Sequence, residues 1–489
     1  MQRSCLAVEP RIFRIENFIS ADEAVNLRAL LDAQPGRDTE TGHVSELPEH
    51  PGLEDIKARI EREVGLESHV RSLRYRRYAE GDGHPPHLDD YEIDGALLVA
   101  TAMLCVGEPE AGGGTEFPHA APYALRVEAT CGALLHWRNV RTDGQPEPRS
   151  SHRGVPVLRG TKAVLLVFVY APLEVFRAHE AEHAAAYASR LREATFTPPA
   201  PGTQLTTIVD RSLPRETTSL LRDACDARGI VYREIEARFF DYSGAQRLPP
   251  GAMLFRPAVS RAAQHVEEFL VASNVATFHG ECEGTFFPCA APEQVRQRAG
   301  IEGPRCFPVA STEQTLLDSF VERLGGFPVV LKVPGGEGGL GVMRVDGMVT
   351  LVSLVDYLVR AQGHVPLLSA YIPDAVHHRV IVVGDQAVAS YENPIRDGDF
   401  RSIPSLEPEA YSGTVAPALG QIAVAATRAE RLAFAGVDLI VHPTGRVYVL
   451  EVNYPCYFAQ ATLGGGIDVA GRMVDYLVAR ALQLVGSPA

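Results

Sequence analysis

As far as Pro172 the chain alternates apolar and polar positions in short runs, most of them closed by glycine or proline, which is the pattern of half-buried strands. One run ends at Tyr78 (SLRYRRY), a longer one spans Ala96 to Val106, and others lie at Ala124 to Val127, at GALLHW (132–137) and at Ala163 to Val169. The stretch EGDGHPP reads as a loop presenting His84, His87, Asp89 and Asp90, and AGGGTEFP as a glycine turn into an edge strand. Helical spacing appears after the capping residue Ser20, from Leu53 to Val64, and over 173–193. Many short strands with Gly/Pro turns predict a β-sandwich or jelly roll with flanking helices.

The proline-rich FTPPAPGT then marks a linker, and from Gln204 the pattern changes. A strand (QLTTIV), a helix (Arg215 to Arg228), a strand (VYREIEA) and a helix (Ala262 to Ser273) predict a small parallel α/β unit without a glycine fingerprint. Beyond it, FPVVLKVPGGEGGLGVMRV reads as strand, glycine loop, strand. AVHHRVIVVGDQAVASYENPI reads as a hairpin, and AGVDLIVHPTGRVYVLEVN as two antiparallel strands around Pro443 to Gly445. The expected division is 1–175, a linking segment 176–202, an α/β unit 203–290, and an α+β unit 291–489.

Composition sharpens the search for chemistry. Only three of the 46 basic residues are lysine: Lys57, Lys162 and Lys332. A lysine that survives such a bias is a candidate for work arginine cannot do. Lys57 lies on an amphipathic helix and is a solvated face residue. The net charge of −15 argues against nucleic acid or an anionic membrane as partner. The amino terminus lacks a signal-peptide core, no apolar run is long enough to span a bilayer, and the eight cysteines form no CxxC pair. A cytoplasmic protein with reduced thiols is expected, acting on small molecules; a homodimer remains open.

Lys162 lies ten residues after His152 in RSSHRGVPVLRGTK. A hairpin near Val157 to Gly160 would place the two on neighbouring antiparallel strands, within reach of one ligand. A surface hairpin with one histidine and one lysine would read the same. His87 and Asp89 upstream, with His152, would complete a two-histidine, one-carboxylate triad with open positions for Fe(II), a bidentate cosubstrate and O2. In order and spacing, RYAEGDGHPPHLD, GGGTEFP and GALLHWRN…DG…SSHRGVPVLRGTK resemble the prolyl 4-hydroxylase-like Fe(II)/2-oxoglutarate dioxygenases, over residues 70–172. The resemblance implies a double-stranded β-helix (jelly roll) in which His87, Asp89 and His152 ligate iron. It further implies that Lys162 grips the 2-oxoglutarate C5 carboxylate and that Tyr78 sits near the cosubstrate. His84 stands where that family often has tyrosine, and Ala163 where an aromatic commonly follows the lysine, so prolyl specificity is not implied. His84 reads as a histidine beside the ligands, and Trp137 as core packing.

The second lysine introduces a second chemistry. Lys332 precedes a run of close glycines, among them Gly336, Gly338, Gly339 and Gly341, whose amides can fold over phosphates. Asp438 falls across from Glu451 and Asn453, three oxygen ligands that suit Mg2+ beside a nucleotide. The segments LKVPGGEGGLGV, HHRVIVVG, GDFRS, AGVDLI…LEVN and GGGIDVAGRMVDYL resemble the ATP-grasp ligases, in the subgroup of the ribosomal-protein glutamate and lysine-biosynthesis ligases, over about 205–485. The resemblance implies that 203–290 is a pre-grasp unit. It implies that Lys332 and the glycine loop hold ATP, that Asp438, Glu451 and Asn453 hold Mg2+, and that Arg379 and Arg401 face the phosphates or the acid. Ile403 replaces the family's usual asparagine, so the acceptor is expected to differ.

Together these imply a bifunctional enzyme that hydroxylates an amino acid or short peptide and forms an amide through an acyl phosphate, in natural-product biosynthesis. Two rival readings stay open. One half could serve as a binding or scaffolding module, or the enzyme could modify a polypeptide partner.

Overall fold

The computed structural model describes residues 2–47, 50–66, 70–194, 196, 198–242, 247–280, 292–333, 339–395, 397–403 and 407–486. The elements before the linker run β1 (Gln2–Ala7), β2 (Ile12–Glu16), α1 (Ala21–Asp32), β3 (Arg37–Thr39), β4 (Gly42–Glu46), α2 (Pro51–Val64), β5 (Val70–Tyr78), β6 (His84–His87) and β7 (Glu92–Ile93). They continue β8 (Ala96–Gly107), β9 (Ala111–Gly112), β10 (Thr115–Phe117), β11 (Leu125–Val127), β12 (Leu134–Arg138), β13 (His152–Gly154), β14 (Val157–Arg159), β15 (Lys162–Ala171) and α3 (Leu173–Glu193). A nine-stranded sheet has the order β1-β2-β12-β8-β15-β5-β4-β3, with β7 on β8, and a four-stranded sheet the order β11-β10-β13-β6.

Alternation along β15 decides what each face of the large sheet meets. Ala163, Leu165 and Val167 face α1 and α2, in one core with Leu27, Ile56 and Ile60. Lys162, Val164, Leu166 and Phe168 face the other way. On that side Trp137 and Leu135 of the large sheet pack on Phe117 and Val127 of the small one. The chain thus closes two antiparallel sheets over an inner core, with helices on the outer face.

Three local expectations change. His84 to His87 is a strand and not a loop, because it pairs with β13 in the register His152↔His87 and Gly154↔His84. Thr115 to Phe117 is an inner strand, bonded on both sides by β11 and β13. His152 and Lys162 do not lie on neighbouring strands: the first is in the small sheet and the second pairs with β5 in the large one. Between them Val157 pairs with Gly112, and the Gly113 amide donates to Pro156 O at 3.0 Å. Gly112 and Gly113 have φ of +75° and +71°, which side chains rarely adopt, and this bend draws the segment away from a simple hairpin.

After the linker, β16 (Gln204–Val209), α4 (Arg215–Asp226), β17 (Val231–Glu236), β18 (Met253–Phe255) and α5 (Arg261–Leu270) form the expected parallel unit, ordered β17-β16-β18. The remainder runs α6 (Pro292–Arg298), β19 (Cys306–Pro308), α7 (Gln314–Leu324), β20 (Val329–Lys332), β21 (Val342–Val345), α8 (Met348–Asp356), β22 (Leu367–Ala370), β23 (Val376–Val383) and β24 (Gln386–Asn393). It ends with β25 (Tyr411–Ser412), α9 (Pro417–Ala429), β26 (Phe434–Val441), β27 (Val447–Asn453), α10 (Ala459–Leu463) and α11 (Val469–Gly486). Two antiparallel sheets result, β19-β22-β20-β21 and β25-β24-β23-β26-β27. The parallel unit shares a core with the second of these and with α11, through Leu221, Met253 and Phe255 against Ile381, Phe434 and Met473. Among the described residues no helix is long and apolar enough to cross a membrane.

Candidate functional site

The structure brings His87, Asp89 and His152 together, one ligand atom from each lying within 4.8 Å of the others. The His87 Nε2 to Asp89 Oδ1 distance is 3.6 Å, and that from His152 Nε2 to Asp89 Oδ2 is 3.8 Å. Cross-strand pairing of β6 with β13 sets the two rings 4.3 Å apart. His152 Nδ1 lies 2.9 Å from Ser150 O and His87 Nδ1 lies 2.9 Å from Pro85 O. If each Nδ1 carries the proton, each Nε2 lone pair is turned toward Asp89, the tautomer a metal requires. Burial pushes the His152 imidazole down to about 4, so it is neutral near pH 7.

The supporting groups carry no motif of their own. Thr101 donates to Asp89 Oδ2 at 2.7 Å, and Asn139 donates to Thr101 Oγ1 at 2.9 Å. Trp137 is core, yet its ring centre lies 4.7 Å from that of His152, edge to face. His84 Nδ1 approaches His87 Nδ1 at 3.1 Å, and burial, then His87, lower its pKa to about 4. Arg153, next to His152, donates to Glu116 at 2.6 Å and to both oxygens of Asp226, on α4, at 2.9 and 2.5 Å. Arg126 joins the same buried cluster. The sequence offers one signal of that cluster, an arginine between His152 and Gly154 in a short strand.

Lys162 stands opposite Tyr78 on the inner face, its Nζ 5.4 Å from the Tyr78 ring centre. It is 4% exposed, has no ion-pair partner among the described residues, and burial lowers its pKa to about 8. A desolvated ammonium with no carboxylate in contact is costly, and a carboxylate ligand would relieve it.

The second cluster sits on β26 and β27. Asp438 pairs directly with Glu451, and Asn453 donates to Asp438 Oδ2 at 3.0 Å and to Glu451 Oε1 at 3.1 Å. Glu451 is accessible to solvent at the surface, while the protein around the cleft, and then the Asp438 charge, raise its pKa; Lys332 acts in the opposite sense. Arg379 has a different neighbour from the one expected. It lies directly across from Asp438 in the β23–β26 register and donates to both its oxygens, at 2.7 and 2.6 Å. Arg401 pairs with Asp399 and donates to Gly339 O at 3.1 Å, which sets it against the glycine loop. Gly339 and Gly341 have φ of +79° and +76°. Gly336 and Gly338 lie outside the described residues. Two carboxylates and an amide oxygen beside cationic groups fit Mg2+.

A family model described as the RimK-like ATP-grasp domain matches residues 291–477. Over those residues the chain is similar to that ATP-grasp domain. The ribosomal protein bS6--L-glutamate ligase of Shigella boydii serotype 4 (strain Sb227) is 32% identical over 186 residues, which are 38% of this chain and 61% of that protein. The chain thus spans about three fifths of the length of the curated relatives it matches. Among solved structures, the ATP-grasp ligase PsnB, complexed with minimal precursor, Mg and ADP, aligns with 59% of this chain and 100% of its own, at 13% identity and a TM-score of 0.43. The viral collagen prolyl hydroxylase vCPH from Paramecium Bursaria Chlorella virus-1 aligns with 33% of this chain and 96% of its own, at 18% identity and a TM-score of 0.28. At those scores neither structural likeness bears on activity.

Proposed function

We propose that the chain joins an ATP-dependent carboxylate–amine ligase to an Fe(II)/2-oxoglutarate-dependent dioxygenase, both acting on amino acids or short peptides. In this reading residues 1–175 are the dioxygenase, 203–290 the pre-grasp unit and 291–489 the ligase. The match over 291–477 supports the ligase half. The observation that carries the oxygenase half is the convergence of half-buried His87 with buried Asp89 and His152, accompanied by a buried ammonium, Lys162, that has no ion-pair partner among the described residues.

In the ligase, Lys332, Arg401 and the glycine loop (Gly336, Gly338, Gly339, Gly341) hold the ATP phosphates, and Asp438, Glu451 and Asn453 hold Mg2+. Arg379 orients Asp438 and offsets the charge of the acid. The substrate carboxylate takes the γ-phosphate, and an amine then displaces phosphate to give the amide. The bS6 relatives are named for L-glutamate, which makes glutamate the first candidate acid or amine to test. In the oxygenase, His87, Asp89 and His152 would hold Fe(II), which with O2 supplies the oxidation of an unreactive C–H bond. Lys162 binds the distal carboxylate of 2-oxoglutarate, with Tyr78 alongside. Ser150 and Pro85 carbonyls keep the two imidazoles oriented, and the Thr101–Asn139 pair fixes Asp89.

The test is a screen of amino acids and dipeptides with the full chain, Fe(II), 2-oxoglutarate, O2 and Mg-ATP, reading succinate and ADP. Products carrying both an added oxygen and a new amide support the reading. ADP release that is never accompanied by substrate-dependent succinate overturns the oxygenase half.

A further inference from the structure

The inner face of the large sheet carries two arginines that neither candidate centre uses. On β5 the register sets Arg76 opposite Val164 and Arg74 opposite Leu166, continuing the row that begins with Tyr78 opposite Lys162. Phe168, next in that row, pairs with Thr101 on β8, the residue that holds Asp89. Alternation therefore puts Arg74, Arg76, Tyr78, Lys162 and Thr101 on one face, the face that meets the triad. Charge interactions agree: Arg76 acts on both Tyr78 and His84, and Arg74 and Asp89 both act on Tyr170.

Both guanidiniums are half-buried, and neither has an ion-pair partner among the described residues. Arg76 donates to the Thr41 hydroxyl, at 3.1 Å, and has the neutral Tyr78 phenol and the His84 ring as polar neighbours. Arg74 lies 5.4 Å from the centre of the Phe168 ring. Elsewhere this acidic chain pairs its arginines freely, as Arg77 does with Asp32 one position further along β5. The contrast is by face. Arg77 points to the opposite side and is neutralised; Arg74 and Arg76 point inward and are not.

We propose that Arg74 and Arg76 form a carboxylate-recognising rim beside the triad, so that the compound oxidised there is an acidic amino acid or a peptide bearing Asp or Glu. Two forked guanidiniums on one strand, separated by one residue, suit carboxylates better than a neutral or basic substrate. A substrate with spare carboxylates would also present the group that an ATP-grasp domain activates, so one acidic compound could serve both centres. The proposal rests on reading His87, Asp89, His152 and Lys162 as an iron and 2-oxoglutarate site.

The experiment measures binding by the metal-free full chain of a short fluorescein-labelled peptide of alternating glutamate and glycine, against its glutamine–glycine isostere. The glutamate peptide is expected to bind at least about tenfold more tightly, with an advantage that shrinks as salt rises. Arg74→Gln with Arg76→Gln is expected to remove the preference, and Arg76→Lys to keep most of it. Equal affinity of the two peptides for the wild-type chain overturns the proposal without recourse to any variant, as does a preference unchanged in the double variant. The visible absorbance of the anaerobic wild-type chain with Fe(II) and 2-oxoglutarate reports the underlying site separately. If that band is absent while the acid preference stands, the iron reading falls and the arginine rim remains.

Discussion

Around His152 the ligand groups are buried or half-buried and held by backbone carbonyls and a hydroxyl, whereas exposed Glu451 and half-buried Asp438 are set among charges, with Arg379 and Lys332 as counter-charges. The first arrangement is complete before any ligand arrives, because strand pairing and the Thr101–Asn139 pair set each donor. The second is a balance of charges, in which Asp438 and Glu451 repel one another and a cation would settle them. A site held by its frame resists change until that frame breaks; a site held by a balance of charges responds to each charge placed in it.

The sharpest way to break this comparison is to disable one centre at a time. His152→Ala is expected to reduce 2-oxoglutarate turnover by ~10²-fold or more, and Lys332→Ala to do the same to ATP-dependent phosphate release, each sparing the other reaction within about twofold. Parallel assays of succinate and phosphate check this, and loss of both activities in either variant would mean a single merged site.

Next in size is the frame behind His152. Asp226→Ala leaves the buried Arg153 guanidinium with Glu116 as its remaining carboxylate, and a cost of about 3–5 kcal/mol is expected from a broken buried pair. Urea unfolding with matched m-values measures it. A change within the error of the fit would show that the cluster relaxes or hydrates.

A third test uses pH. Burial lowers Lys162 from 10.5 to about 8. Between those values the unfolded chain binds the proton and the folded chain has released it, so stability rises with pH through that window. The metal-free protein should show this rise from about pH 8 to about pH 10, and Lys162→Met should lose it. Saturating 2-oxoglutarate should flatten it in the wild type, by supplying the missing anion.

The smallest effect is expected at the open site. A carboxyl whose folded pKa is raised costs stability once ionised, so Glu451→Gln should stabilise the nucleotide-free protein at neutral pH by ~1 kcal/mol or less while abolishing Mg-ATP turnover. Destabilisation instead would mean that attraction to Lys332 outweighs burial and the repulsion from Asp438.

Much of this was legible because the chemistry sits in short, ordered words. HPPHLD and SSHRG carry the triad, LEVN carries Glu451 and Asn453, and the parallel unit followed from alternating strand and helix periods. What stayed hidden depended on which sheet a strand joins. Period-two alternation says that His152 and Lys162 lie on strands, but the two-sheet partition is decided by Gly112 and Gly113 drawing Val157 onto β9. Arg379 was recognisable as a cation of the site, whereas its pairing with Asp438 depends on the β23–β26 register. Arg153 and Asp226 are far apart in sequence, and nothing local to either announces the other.

That last pair also bears on how the protein is made. Glu116, Arg126 and Arg153 leave the ribosome well before Asp226, so for a time the nascent N-terminal sheets hold two arginines around a single carboxylate. The wall behind His152 gains its last counter-ion only when α4 has emerged and docked. Synthesis order thus makes the second half of the chain a late-arriving strut for the first, and a stop placed in the linker would release sheets with that wall unfinished.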